Sequence, residues 1–173
     1  MSSTAILSHR HTGRVIRVLS LPAMIRLVSE IDDNGPISYS RGSLQGAFGD
    51  LPRHQLRYAI DAARLLGLVH FADHAPARYR LTKAGEDLAE VYDTAARWSR
   101  MHQYPSAASD FVTRVHQTLK LLADGGVGLP AEAVFALPEL RRVLAEWLQA
   151  HPQVLQAVAS RSSHAADETE RAA

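Results

Sequence analysis

The chain has no cysteine among its 173 residues. Disulfide scaffolds, cysteine nucleophiles, thiol redox switches, cysteine-ligated zinc and iron–sulfur clusters are therefore excluded on chemical grounds. It also lacks any apolar run near the ~18 to 20 residues that span a bilayer, so no membrane partner is expected. Its start, MSSTAILSHRHTGR, has no secretory hydrophobic core between its charges, and the expected compartment is the cytoplasm. Enzyme signatures are missing too. There is no Gly-rich phosphate loop after a strand, no HExxH, no Gly-x-Ser-x-Gly and no carboxylate pair at a diagnosable spacing. The run Asp124-Gly125-Gly126-Val127-Gly128 follows a predicted helix rather than a strand and reads as a loop. No catalytic residue, metal ligand or cofactor is therefore assigned. His70 and His74 are four apart, but they straddle a strand and a turn rather than one helix face.

What is present is a chain 46% apolar and 21% charged, the composition of one folded domain with some extra length. The net charge of +1 conceals an uneven distribution. Residues 1–83 hold 11 Lys and Arg against 6 Asp and Glu, a net +5, while residues 84–173 hold 8 against 12, a net −4. A basic front half points to an anionic partner.

Apolar periodicity and breakers place the elements. Residues 1–13 show no sustained period and read as a flexible N-terminal tail carrying His9 and His11. Leu21, Met24, Ile25, Val28 and Ile31 recur at helical spacing, with Ser20 as a cap and Pro22 in the first turn. Asn34-Gly35-Pro36 stops that helix. Ile37-Ser38-Tyr39 alternates as a short strand, and residues 40–48 form a second helix. Pro52 opens a third, running over about 52–66, with Leu56, Ile60 and Ala63 inward and Gly67 as its stop. At 100° per residue from Leu56, His54, Arg57, Tyr58 and Asp61 fall between about 100° and 200°, facing outward. Residues 68–73 and 78–81 form a two-stranded hairpin, and Thr82 caps a helix that runs to about Met101. Further helices are expected from Phe111 to Leu122, in a short piece at 131–137, and from Pro138 onward. Residues 160–173 carry no apolar stripe and read as a disordered tail.

Helix, short strand, helix, helix, hairpin, helix is the order of a winged helix-turn-helix, so the fold class is mainly α with a small β-wing, followed by additional C-terminal helices. Three stretches carry a more specific resemblance: Ile37-Ser38-Tyr39-Ser40, the run from Leu56 through Ile60 to Gly67-Leu68-Val69, and Tyr79-Arg80-Leu81-Thr82 with Gly85 and Leu88. Residues 20–101 resemble the HxlR-type transcriptional regulators, relatives of the MarR group, in which such a pattern leads into a long helix, here ending in Ala96-Arg97-Trp98. The resemblance implies a winged-helix DNA-binding domain at 14–101. It also implies a homodimer on a pseudo-palindromic site in double-stranded DNA. Residues from about 105 to 159 have no counterpart in the minimal family domain, and 102–159 read as a helical extension for dimerisation or for a small-molecule effector. Trp98, Phe111, Phe135 and Trp147 supply surplus apolar surface for either use. The cysteine of the redox-sensing members is absent.

In that frame the third helix enters the major groove and the wing, about 68–81, lies on the backbone or in the minor groove. Arg53, His54, Arg57 and Tyr58 are the groove candidates, since Arg can present paired donors to guanine and all four side chains can hold phosphate. Arg41, Ser43 and Gln45 on the second helix would fix the backbone. His74, Arg78 and Arg80 would do so from the wing, with Arg78 and Arg80 on one side of their strand; Lys83 could add to them. The alternative reading is a winged-helix module for protein interaction or dimerisation that binds no DNA, such as those preceding some methyltransferase domains.

Overall fold

A computed structural model of the chain describes residues 10–74, 76–125 and 128–161. The elements are α1 (Arg10–Leu19), α2 (Pro22–Asn34), β1 (Ile37–Ser38), α3 (Arg41–Phe48), α4 (Arg53–Leu65), β2 (Val69–Ala72), β3 (Arg78–Leu81), α5 (Lys83–Met101), α6 (Phe111–Ala123) and α7 (Ala131–Ala150). A last helical stretch, α8, covers 153–161. The structure is mainly helical with a small antiparallel sheet of strand order β1-β3-β2. Ile37 pairs with Tyr79, and Phe71 faces Tyr79 from the other side.

Local chemistry explains most boundaries. Ser40, Thr82 and Asp110 accept from the backbone N–H groups of Ser43, Gly85 and Thr113 at 3.3, 3.2 and 2.8 Å, capping α3, α5 and α6. The N–H bonds received by Asp110, Thr113's first among them, hold its carboxyl below the usual range. Gly67, at φ +70°, ends α4: its N–H reaches Arg64 O at 3.1 Å and that of Leu68 reaches Ala63 O at 2.8 Å, the paired bonds of a Schellman motif.

Several expectations are corrected. Residues 10–13, expected in a tail, begin α1, and Thr12, Val15, Ile16 and Leu19 are buried in helical register; residues 1–9 lie outside the described residues. Ser20 does not cap α2. Its hydroxyl donates back to Arg17 O at 2.9 Å, and Leu21 holds the cap position with Pro22 following. Pro138 does not open a helix but sits inside α7. The apolar stripe Ala133, Leu137, Leu140, Leu144 and Leu148 runs through it unbroken. The carbonyl deprived of its partner belongs to the exposed Val134, where water can reach it. Residues 160 and 161, expected in the disordered tail, continue α8; residues 162–173 lie outside the described residues. Trp98 and Trp147, expected as surplus surface, are buried, whereas Phe111 is half-buried and Phe135 is 85% exposed.

The helices after Met101 share one core with those before it, a continuous cluster from Val15 to Val154. α5 is its spine, packed by α2, α6 and α7. Tyr92, fully buried, donates to Leu19 O at 2.6 Å and satisfies a carbonyl at the end of α1; burial pushes its phenol pKa far up. Arg114 is buried and donates to Ser109 O, Ala107 O and Ser99 Oγ at 2.8, 2.6 and 3.1 Å, stitching α6 to the loop before it. Trp147 donates to Ala84 O at 3.0 Å, and the imidazole of His151 meets Asp87 at 2.8 Å, which docks the end of α7 on the first turns of α5.

Three outcomes follow from this packing. A β-carbon at Gly85 would run into the Leu68 carbonyl oxygen and lie 3.0 Å from Leu81 Cδ2. Gly85→Ala should therefore lower stability by about 1–3 kcal/mol, a fall of several degrees in Tm, whereas an unobstructed helical glycine would gain from the change; an unchanged or raised Tm rules out the close approach. Tyr92→Phe leaves the Leu19 carbonyl buried without its donor and should cost about 1–3 kcal/mol in denaturant unfolding. Asp87 is held below the ordinary carboxylate range, first by the hydrogen bond from Lys83 and also by that from His151. An acid depressed in the folded state stabilises above its unfolded pKa and loses that contribution as pH falls through the folded value. The unfolding free energy of wild type should thus exceed that of Asp87→Asn at about pH 5, and the margin should shrink below about pH 4.

Candidate nucleic-acid interface

α3 and α4 meet through the turn Gly49-Asp50-Leu51-Pro52, and that turn is tied to the core. Arg26 on α2 donates to both carboxylate oxygens of Asp50 at 2.9 and 3.1 Å and to Ala47 O at 3.1 Å. A planar guanidinium binding a carboxylate two-fold and a helix-end carbonyl as well fixes direction, not only distance. α4 buries Ala59, Ile60, Ala62 and Ala63, so small side chains let it lie close to α2. Leu56, expected in the buried stripe, is half-buried.

Between α3, α4 and the sheet lies a groove of about 750 Å³. Leu44, Phe48, Leu51, Leu56 and Ile60 form its apolar floor, and Arg41, Arg53, Arg57 and Arg64 stand around it with Gln45. Asp61 is the one carboxylate in its described lining. None of Arg41, Arg53 and Arg57 forms an ion pair with another described residue. Tyr39 and Tyr79 close the sheet end. With Phe71 they make a ring cluster with centroids 5.3 to 5.8 Å apart. The Arg64 guanidinium sits 5.7 Å from the Phe71 ring centre, a cation–π placement that holds it beside the groove. Burial raises the Tyr79 phenol pKa, so that group stays a neutral donor.

Of the candidates read from sequence, the groove gathers Arg41, Gln45, Arg53 and Arg57. The others lie elsewhere. Ser43 is exposed and bonded to the Ser40 hydroxyl at 2.9 Å, so it serves the cap of α3. His54 is exposed on the first turn of α4. Tyr58, half exposed, turns to a second cleft on the opposite flank of α4, facing α1 and α8. His74 lies exposed in the turn between β2 and β3. Arg78 and Arg80 alternate with Tyr79 and so occupy the sheet face turned away from the ring cluster. Arg80 is exposed there, while Arg78 is half-buried with Nε enclosed and without a hydrogen-bond partner among the described residues. Lys83 is engaged with Asp87 at 2.6 Å.

Arg64 is absent from the sequence candidates, although it falls seven residues after Arg57 and therefore on the same helix face. Arg26 and Tyr39 are absent for a different reason. Their roles depend on a turn and on a strand partner distant in sequence.

Four guanidiniums over an apolar floor can hold an extended polyanion through paired donors. Among the described residues no three His, Asp or Glu side chains gather as metal ligands would, and no described helix is long and apolar enough to cross a membrane. The chain matches no family model, no curated protein and no solved structure.

Proposed function

We propose that this chain is a sequence-specific DNA-binding transcriptional regulator of the winged helix-turn-helix type. α4 would enter the major groove, and β2 and β3 with their turn would serve as the wing. The observation that carries this reading is the row of Arg53, Arg57 and Arg64 along α4, joined by Arg41 from α3, without ion-pair partners for the first two or for Arg41 among the described residues. Element order supports it, since helix, strand, helix, helix, two strands and helix is the sequence of a winged module. So does the HxlR-type resemblance over residues 20–101, in which Thr82 caps α5 and Gly85 admits the Leu68 carbonyl. The chain acts as a homodimer, and two-fold symmetry then requires half-sites about one helical turn apart. Phe135 and Val134, exposed at the start of α7, offer apolar surface for a second copy. The apolar floor of the groove favours a second reading, an acidic amphipathic protein segment seated over the same arginines.

The two readings differ in what is bound, since only the first requires a DNA duplex. Titrated at about 50 and about 200 mM salt against duplex DNA from upstream of its own gene, with unrelated competitor present, the protein should hold one site, and affinity should fall steeply with salt. Arg53→Ala combined with Arg57→Ala should weaken that complex about tenfold or more and reduce the salt slope by about 1 for each phosphate left without its arginine. Unchanged affinity and slope in the double variant would sink the assigned surface.

A further inference from the structure

The exposed side of α4 separates two clefts. One is the arginine groove toward α3 and the sheet. The other, about 380 Å³, lies on the opposite flank, where α4 faces α1 and α8. Its rim carries Arg14 and Arg17 from α1 and Arg161 from α8, all exposed, with Tyr58 and Leu65 of α4 beside them. Three guanidiniums thus stand on the far side of the helix from Arg41, Arg53, Arg57 and Arg64, and the described lining of this second cleft contains no carboxylate.

Helical geometry makes the division quantitative. Measured from Leu56 at 100° per residue, Arg53, Arg57, Asp61 and Arg64 lie at about 60° to 140°, whereas Leu65, Tyr58, Ala62 and Leu66 lie at about 180° to 280°. The ridge between the two sets carries His54. A helix with its side chains is about 10–12 Å across and the major groove is about 12 Å wide, so a seated helix has a phosphodiester strand along each flank. A protein that presents cations on one flank alone would meet only one of those strands.

We propose that Arg14, Arg17 and Arg161 contact the phosphates of the second strand, so that α4 is gripped from both sides, by α3 on one and by α1 with α8 on the other. The proposal rests on the DNA-binding reading and extends it to α1 and α8, which lie outside the stretch that resembles a known family. It assigns the additional helix α8 a role in the interface itself. Because phosphate contacts position without reading sequence, this flank adds affinity and salt dependence but no base preference.

The test uses the full chain and a mixed-sequence duplex of about 30 base pairs, since the sequence-independent term needs no known operator. Binding is followed by fluorescence anisotropy from about 50 to about 200 mM salt for wild type, Arg17→Ala with Arg161→Ala, Arg53→Ala with Arg57→Ala, and Arg97→Ala with Arg100→Ala. Arg97 and Arg100 are exposed on α5, line neither cleft and together serve as the control for the loss of two charges. All the altered side chains are exposed, and circular dichroism melts confirm equal folding. The expected result is that the Arg17 and Arg161 pair lowers affinity about tenfold and the slope by about 1 to 2, as the Arg53 and Arg57 pair does, while the control changes neither. If wild type binds with a steep slope and only the Arg53 and Arg57 pair reduces it, the second flank is overturned and the DNA reading stands. A fall in affinity with an unchanged slope for Arg17 and Arg161 also overturns it, since no counterions are then released there. Absence of salt-dependent binding in wild type overturns both readings together.

Discussion

The position of α4 depends on one close approach, the first turn of α5 against the carbonyl of Leu68. Gly67 turns the chain out of α4 through a left-handed conformation, and Leu68 begins the path into β2. The Leu68 carbonyl accepts the Thr82 N–H at 3.0 Å where the chain leaves β3. The Thr82 hydroxyl donates to Gly67 O at 2.5 Å and accepts from Gly85 N–H at 3.2 Å. Four elements therefore meet within a few backbone groups, and only a residue without a β-carbon admits the approach. Hydrophobic burial is non-directional and would tolerate small rotations of α4. Hydrogen bonds between fixed backbone groups do not, and they set which residues of α4 face outward.

Formal charges alone do not show where along the chain charge is left uncompensated. Four of the twelve acids of the second half are already occupied: Asp87 by Lys83 and His151, Asp110 by the N–H groups opening α6, Glu139 and Glu146 by Arg142. Arg41, Arg53 and Arg57 of the first half have no such counterparts among the described residues. A net of +5 over 83 residues is a weak field when spread evenly. It is much stronger where four arginines converge on one groove over low-dielectric side chains, because field lines concentrate there.

Elements with capping residues, glycine stops and strict apolar spacing are legible from the amino acids alone, and α2 to α5 with the three strands fall where that spacing puts them. α1 is not, because Thr12 fills one of its buried positions and Gly13 follows in its first turns, leaving only Val15, Ile16 and Leu19 to mark a stripe. Pro138 reads as a helix start because a missing N–H is a local property. What overrides it is the stripe from Ala133 to Leu148, which gains more by burial than one hydrogen bond loses at an exposed carbonyl. At the candidate interface, helical spacing gives the angle of each α4 residue, but not which elements wall each flank. Tyr58 and Arg57 are neighbours in sequence and lie in different clefts because α1, α3 and α8 wall the two flanks, and their places are set by long-range packing. The strand arginines illustrate the same limit. Alternation puts Arg78 and Arg80 on one face, and only strand pairing reveals that this face is turned from the groove.

Arg26 has a consequence beyond holding a turn. By gripping Asp50 and the Ala47 carbonyl from α2, it ties the turn at the mouth of the groove to a helix of the core. Each long side chain that a partner immobilises forfeits about 0.5–1.5 kcal/mol of rotamer freedom. Four arginines that must also wait for a wandering loop would lose more, since backbone disorder would be removed at the same moment. With the turn already ordered in the fold, a partner would have only the side-chain tips left to still.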